Sequence, residues 1–161
     1  MNRSWNILNW NVRGINSNAR WNDIRQKIDE SACCIITLLE TNRENFDMAY
    51  IKNFCPNRFN QYCFSPYNGS SGRLITIWNG QLFIEKIISQ NYFHITIEFI
   101  SNLDNSSWFL TNVYGPNSAE GKLEFTTWLQ NHNISHSKLW MILGDFNFIR
   151  GPDNRNKPGG D

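Results

Sequence analysis

The sequence has no long apolar run, no closely spaced cysteine pair and no strong excess of charge of one sign. A membrane-spanning helix needs about 18 consecutive apolar residues, and no segment reaches that length, so we expect no membrane association. Lysine and arginine together number 15, against 14 for aspartate and glutamate, which gives a net charge of +1. No strong overall field therefore draws the protein to nucleic acid, and any such binding must come from a local groove.

The start of the chain also lacks the pattern of a signal peptide, because residues 1–4 lead directly into a strand-like stretch. We therefore expect an intracellular protein. Zinc ribbons need Cys-x-x-Cys pairs, and the cysteines form none. We expect buried free thiols rather than disulfides at all of these positions, which are Cys33, Cys34, Cys55 and Cys63.

The composition is typical of one folded domain of 161 residues, with 40% hydrophobic and 14% aromatic residues. The patterns predict a β-α-β-α order, then a run of strands, then α-β, which suggests sheets covered by helices. Asn79-Gly80 predicts a tight hairpin between two strands. The predicted strands are 5–12, 33–39, 58–64, 73–78, 82–88, 92–100, 107–114 and 138–143, and the predicted helices are 20–31, 44–54 and 119–131.

Polar side chains stand at the ends of three of the apolar strands. Asn11 ends the first, Glu40 follows the second, and Asp145 and Asn147 follow the last. Ligand sites of α/β folds gather outside the carboxyl ends of strands, and an oxygen-rich site there suits Mg²⁺ or Mn²⁺ rather than zinc. Taken singly, a glutamate after a strand is more often a solvated residue, and a Gly-Asp-Phe-Asn turn is more often a capped turn.

Together the motifs are specific, because they occur in the order and spacing of one known family. They resemble the endonuclease/exonuclease/phosphatase superfamily, in the form carried by plant LINE-type retrotransposons. The resemblance implies a four-layer α/β sandwich of the DNase I-like type, with two packed β-sheets flanked by helices, and residues 1–161 as the N-terminal portion of the domain. The motifs are Trp10-Asn11-Val12-Arg13-Gly14, Leu39-Glu40-Thr41, Asn112-Val113-Tyr114-Gly115-Pro116, Leu143-Gly144-Asp145-Phe146-Asn147 and the segment 153–160.

The resemblance also implies a role for each matching residue in a divalent-metal-dependent phosphodiesterase that nicks DNA. Glu40 would ligate Mg²⁺ or Mn²⁺ with support from Asn11. Tyr114 would hydrogen-bond the scissile phosphate, Asp145 would orient or deprotonate the attacking water, and Asn147 would position the phosphate. DNA is then the expected partner, fusion to a reverse transcriptase is possible in the parent element, and a nuclear location is plausible.

A small basic group follows the last motif, and two interpretations of it stay open. Arg150, Arg155 and Lys157 either contact a phosphate backbone or belong to a solvated loop. Phe148, just before them, could stack on a base if its ring is exposed.

The sequence departs from the family pattern at two places. Arg13 stands where some relatives have an acidic residue, which shifts the expected metal site towards Glu40. The family's terminal Asp-His pair matches nothing here, since Asp161 lies too early to take that role. His132 and His136, spaced i, i+4, are predicted to be exposed at a helix end, and His94 to lie on a sheet surface.

Because of that missing pair, we expect the 161 residues alone to have little or no nuclease activity. An inactive retroelement-derived remnant is one alternative function, and a small-molecule phosphoesterase of the same superfamily is another. The plant LINE form of the first and last motifs argues against the second alternative.

Overall fold

The computed structural model describes residues 4–65, 73–132 and 137–148. The elements alternate early and then run as strands, as the sequence predicts. In chain order they are β1 (Ile7–Asn11), α1 (Asn18–Ser31), β2 (Ile35–Leu39), α2 (Met48–Ile51), β3 (Gln61–Phe64), β4 (Ile75–Trp78), β5 (Phe83–Gln90), β6 (His94–Ser101), β7 (Ser107–Tyr114), α3 (Ala119–Asn131) and β8 (Leu139–Asp145).

The strands form two four-stranded sheets that pack face to face. The first sheet has the order β1-β2-β4-β3 and the second the order β5-β6-β7-β8. The β1–β2 and β7–β8 pairs are parallel, and the other pairs are antiparallel. The carboxyl ends of β1 and β2 therefore meet at one end of the first sheet, as those of β7 and β8 do in the second. Contacts of β8 with β1 and of β7 with β2 bring these two ends together.

Three apolar clusters separate four layers, which confirms the predicted α/β sandwich. The first cluster lies between α1, α2 and the outer face of the first sheet, and includes Ile24 and Ile28 of α1. The second fills the space between the sheets. The third, around Phe125 of α3, covers part of the second sheet. None of the helices in the described ranges has the length and apolar character that a membrane crossing requires.

The first helix forms where its apolar stripe predicts it. Ser17 caps α1 by accepting a hydrogen bond from the Arg20 amide at 3.2 Å, and Ala32 ends the helix in the left-handed conformation. Ile24 and Ile28, one turn apart, are fully buried against the first sheet. This packing supports β1 from the outside, so that its inner face can carry Asn9 and Asn11 towards the second sheet.

The second helix and third strand are shorter than predicted. Only Met48–Ile51 is α-helical within the predicted helix 44–54, because Asp47 caps the Tyr50 amide and turns follow at once. The strand predicted over 58–64 begins at Gln61, after a turn in which the Phe59 amide bonds to the Pro56 carbonyl. These differences lie on the outer layer, away from the strand ends that carry the motifs.

The prediction of a hairpin at Asn79-Gly80 is wrong. The strands on either side, β4 and β5, belong to different sheets. Neither residue of the turn has the positive φ that such a hairpin needs. The Gly80 amide instead donates to Asn60 Oδ1 at 2.8 Å, and the Leu82 amide to the Asn79 carbonyl at 3.1 Å. This turn carries the chain from one sheet to the other.

The predictions for the described histidines are also wrong. His94 is not on a sheet surface but only 3% exposed, between the Asn91 carboxamide and the Ser89 hydroxyl. His132 is half-buried, and its ring stacks on Trp140 with 4.3 Å between ring centroids. His136 lies outside the described residues. Both described histidines pack on aromatic rings between α3 and the second sheet.

All cysteines are free, as predicted, and three of them are buried. Burial raises the pKa of the Cys34 and Cys63 thiols to about 11. These thiols therefore stay protonated at neutral pH and pack as small apolar groups.

The buried His94 is expected to make the fold sensitive to acid. Burial and then the neighbouring His132 lower the pKa of His94 from 6.5 to about 4, so the folded state favours the neutral imidazole. The contribution of the neutral His94 to the free energy of unfolding is complete above pH 6.5 and is lost as the pH falls towards 4. Between neutral pH and about pH 4.5, the parent should lose about 2 kcal/mol more unfolding free energy than His94→Gln in urea titrations. Parallel pH profiles for the two proteins would contradict this.

Candidate active site

The Glu40 carboxylate joins the two sheets at the end where the motifs meet. Its Oε1 accepts a hydrogen bond from Asn11 Nδ2 of β1 at 2.9 Å and another from the Tyr114 hydroxyl of β7 at 2.9 Å. Its second oxygen, Oε2, accepts no hydrogen bond from the described residues. One oxygen is therefore held by protein donors, while the other can meet a ligand.

The main chain around Glu40 is held in a conformation that non-glycine residues seldom adopt. Glu40 itself has φ +52° and Arg13, opposite it, φ +49°. The Gly14 amide donates to the Glu40 carbonyl at 2.7 Å, and the Thr41 amide to the Arg73 carbonyl at 3.2 Å. These contacts fix the turn that aims the carboxylate inward, which is a form of strain often found at functional sites.

The turn after β8 is built around Asp145. Asp145 Oδ1 accepts the Asn147 amide at 2.9 Å, and the Asn147 side chain donates to the Gly115 carbonyl. The Gly115 amide donates to the Asp145 carbonyl at 2.6 Å, which extends the ladder in which Asp145 is the register partner of Tyr114. The third and fourth motifs therefore form one interlocked unit.

Tyr114 stands between the charged groups, and this sets its protonation. Burial, the hydrogen bond to Glu40 and the charge of that carboxylate raise the pKa of Tyr114, as does the charge of Asp145. The Asn147 carboxamide acts in the opposite direction and lowers the pKa of Tyr114. The phenol therefore stays protonated at neutral pH and can donate a hydrogen bond.

A cleft of about 880 Å³ opens beside these residues. Of the five predicted site residues, Asn11, Asp145 and Asn147 line the cleft. Glu40 and Tyr114 do not line it, and Glu40 is connected to its wall by the hydrogen bond from Asn11. Arg150, Arg155 and Lys157 lie outside the described residues. The full lining is Asn9, Asn11, Leu39, Asn117, Lys122, Gly144, Asp145, Phe146, Asn147 and Phe148.

Sequence reasoning missed two of the lining residues. Asn117 follows the third motif directly, and Lys122 lies on the first turn of α3. The position of Asn117 next to a motif was a usable signal. The helix pattern gave no such signal for Lys122, because it does not show which polar positions of a helix end face a neighbouring cleft.

The donor set has the chemistry of a site for a hard cation. The described lining includes the Asp145 carboxylate and four asparagine carboxamides, which are oxygen ligands, and it includes no thiol. Among the described residues, no group of three or more His, Cys, Asp and Glu side chains surrounds one point. A divalent ion here would therefore take few protein ligands, which suits Mg²⁺, since this ion usually keeps several of its waters.

Comparison with known proteins finds the likeness in structure alone. No protein-family model matches the chain, and no curated protein matches it in sequence. Humanized D. rerio TDP2 superimposes with a TM-score of 0.61 at 13% identity, over 91% of this chain and 67% of that one. The endonuclease domain of TRAS1, a telomere-specific non-LTR retrotransposon, gives 0.62 at 10% identity, over 91% and 62%. The human nocturnin catalytic domain gives 0.58 at 14% identity, over 89% and 65%.

The chain has the DNase I-like fold. A family protein of endonuclease/exonuclease/phosphatase type from Bacteroides thetaiotaomicron also matches, with a TM-score of 0.58 at 12% identity, over 89% of this chain and 63% of that one. The chain thus spans about two thirds of the length of these structures. At such low identities the comparison establishes the fold, and the chemistry must be argued from the residues in the cleft.

Gly144 should be essential to the geometry of the cleft. It has φ +143°, and a Cβ there would lie 1.9 Å from the Val113 carbonyl oxygen. We expect Gly144→Ala to lower the unfolding free energy by about 2–4 kcal/mol, measured by urea denaturation. The matched control is Gly80→Ala, whose Cβ would meet side-chain atoms of Asn60 and Gln61. Its expected loss is about 1 kcal/mol, and equal losses for the two variants would show that Gly144 imposes no special constraint.

Proposed function

We propose that this protein is a divalent-metal-dependent phosphodiesterase domain of the retrotransposon type, which nicks DNA. The observation that carries the proposal is the Glu40 carboxylate, held by Asn11 and Tyr114 on one oxygen and open on the other. It lies at the end of the sandwich where Asp145 and Asn147 line a solvent-accessible cleft. A phosphodiester that enters this cleft can meet a metal site, a hydrogen-bond donor and a base.

The cation would be held by Glu40 through Oε2, with Asn11 keeping the carboxylate in place. When bound, it would supply charge neutralisation at the phosphoryl oxygens without any proton transfer. Magnesium and manganese both accept such oxygen ligands.

The remaining steps belong to the side chains. Tyr114 has one hydroxyl proton, so donation to a phosphoryl oxygen requires it to leave Glu40, and Asn11 then holds the carboxylate alone. Asp145 has one oxygen engaged by the Asn147 amide, and its other oxygen can accept a proton from the attacking water. Asn147 fixes the turn that presents this carboxylate and is placed to position the phosphate.

DNA is the proposed substrate, although proteins with this fold differ in the substrates on which they act. The structural relatives include a D. rerio TDP2 complexed with single-strand DNA product and a mannosyl-6-phosphatase. The motif residues resemble those of plant LINE elements. This resemblance favours DNA as the substrate, fusion to a reverse transcriptase and action in the nucleus. The resemblance also implies a terminal Asp-His pair, which neither described histidine supplies, since His94 is buried and His132 packs on Trp140.

Nicking of supercoiled plasmid in Mg²⁺ tests the proposal. We expect the 161 residues alone to nick slowly, and a protein that also carries a C-terminal Asp-His segment to nick about 10²–10³ times faster, because a positioned charge-stabilising donor has an effect of that size. In the longer protein, Asp145→Ala should lower the rate by about 10²–10⁴.

The matched control is Asp29→Ala, since Asp29 is an exposed aspartate on α1, on the far side of the first sheet. It should nick like the parent. Fast metal-dependent nicking by the 161 residues alone, abolished by Asp145→Ala, would show that the Asp-His pair is not needed. Unchanged nicking by Asp145→Ala in the longer protein would overturn the hydrolytic role of the cleft.

A further inference from the structure

Lys122 is a cation in the cleft that has no side-chain partner among the described residues. It lies on the first turn of α3. Of the described residues that line the cleft, it alone carries a positive charge. Its ammonium group makes no hydrogen bond or ion pair with any described residue, whereas Lys27 and Lys138 are paired with Glu30 and Glu98. A half-buried lysine that lines a cleft and has no side-chain partner in the described part of the chain is available to an anion.

Phe148 offers an exposed ring to the same cleft. The residue is 48% exposed, although burial of a phenyl group is favourable. The ring is nevertheless held, because it packs on the buried Phe125 with 5.6 Å between centroids at an interplanar angle of 42°. The Phe148 ring is thus supported by Phe125 and lines the cleft, which is how an aromatic ring is placed when a base stacks on it.

The two features are linked by α3. Lys122 and Phe125 are spaced i, i+3, so they lie on the same side of the helix. The helix therefore places the ammonium group and the support of the Phe148 ring next to each other. One ligand that carries both an anion and a flat ring could contact both.

We propose that Lys122 and Phe148 form a nucleotide subsite beside the hydrolytic centre, in which Lys122 binds the phosphate next to the scissile one and Phe148 stacks on a base. The inference rests on the proposed function, because it assigns the substrate of that same cleft as a nucleic-acid strand. A sugar phosphate or another small phosphoester has no base for Phe148. The subsite therefore selects nucleic acid by two contacts that are sequence-tolerant.

Equilibrium binding without catalysis tests the subsite. The probe is a short fluorescein-labelled single-stranded oligodeoxynucleotide, used in EDTA and followed by fluorescence anisotropy. A second probe has the same backbone length and abasic residues throughout, so that it keeps the phosphates and lacks the rings. The variants are Phe148→Leu, which stays apolar against Phe125 and loses the flat ring, and Lys122→Gln.

The expected results differ between the variants. Phe148→Leu should weaken binding of the normal oligonucleotide about 5- to 100-fold, as loss of one stacked base does, and leave the abasic probe unchanged. Phe148→Trp should bind at least as tightly as the parent. Lys122→Gln should weaken binding of both probes and lower the slope of log K against log salt by about 0.7. The controls Lys52→Gln and Leu123→Ala, at exposed positions just after α2 and on α3, should bind like the parent.

Failure of the subsite and failure of the proposed function give different results. Absence of binding by the parent, or equal binding of the normal oligonucleotide by the parent and Phe148→Leu, overturns the subsite. So does an equal loss of both probes in Phe148→Leu, or an unchanged salt slope in Lys122→Gln. Hydrolysis of bis(p-nitrophenyl) phosphate reports on the centre itself, since this diester has no base. In the longer protein that carries the Asp-His segment, Asp145→Ala should remove turnover while the control Asp29→Ala retains it, and turnover that survives Asp145→Ala overturns the proposed function alone.

Discussion

The Glu40 carboxylate accepts hydrogen bonds from both sheets at the end of the sandwich where the motifs meet. Asn11 reaches it from the first sheet and Tyr114 from the second, each at 2.9 Å. Hydrogen bonds to a charged group stabilise a fold by about 1.5–3 kcal/mol each, which is more than neutral ones give. Because both donors converge on one oxygen, the alignment of the sheets and the orientation of the carboxylate depend on each other.

The strand ends around this carboxylate are strained, and the rest of the sandwich holds them in place. Glu40, Arg13 and Asn147 all have positive φ, a conformation that costs non-glycine residues about 1–3 kcal/mol. Parallel pairing of β1 with β2 and of β7 with β8 supplies the hydrogen bonds that maintain these turns. Glycines stand where a side chain would collide with the main chain, since a Cβ at Gly115 would lie 2.1 Å from the Phe146 carbonyl oxygen. The short motifs therefore fix the backbone conformation of these turns as well as supplying reactive side chains.

The sequence predicted the parts that depend on local pattern. The strand 107–114 and the helix 119–131 have the predicted bounds, and Asn11, predicted to end the first strand, lines the cleft. The features that the sequence did not predict depend on contacts between residues far apart in the chain. The turn at Asn79 is set by Asn60, almost twenty residues earlier, and burial of His94 depends on α3, which comes later in the chain. The place of Lys122 in the cleft likewise required the packing of α3 against β8.

Anomalous diffraction from crystals of the protein grown with Mn²⁺ tests whether Glu40 holds a divalent cation, because it locates the ion without reference to activity. We expect a manganese peak at Oε2 of Glu40, beside Asn11 and the Asp145 turn, and its loss in crystals of Glu40→Gln. A peak elsewhere with none at Glu40, or a peak of equal height in the Glu40→Gln crystals, would contradict the assignment of this cleft as a metal-dependent hydrolytic centre.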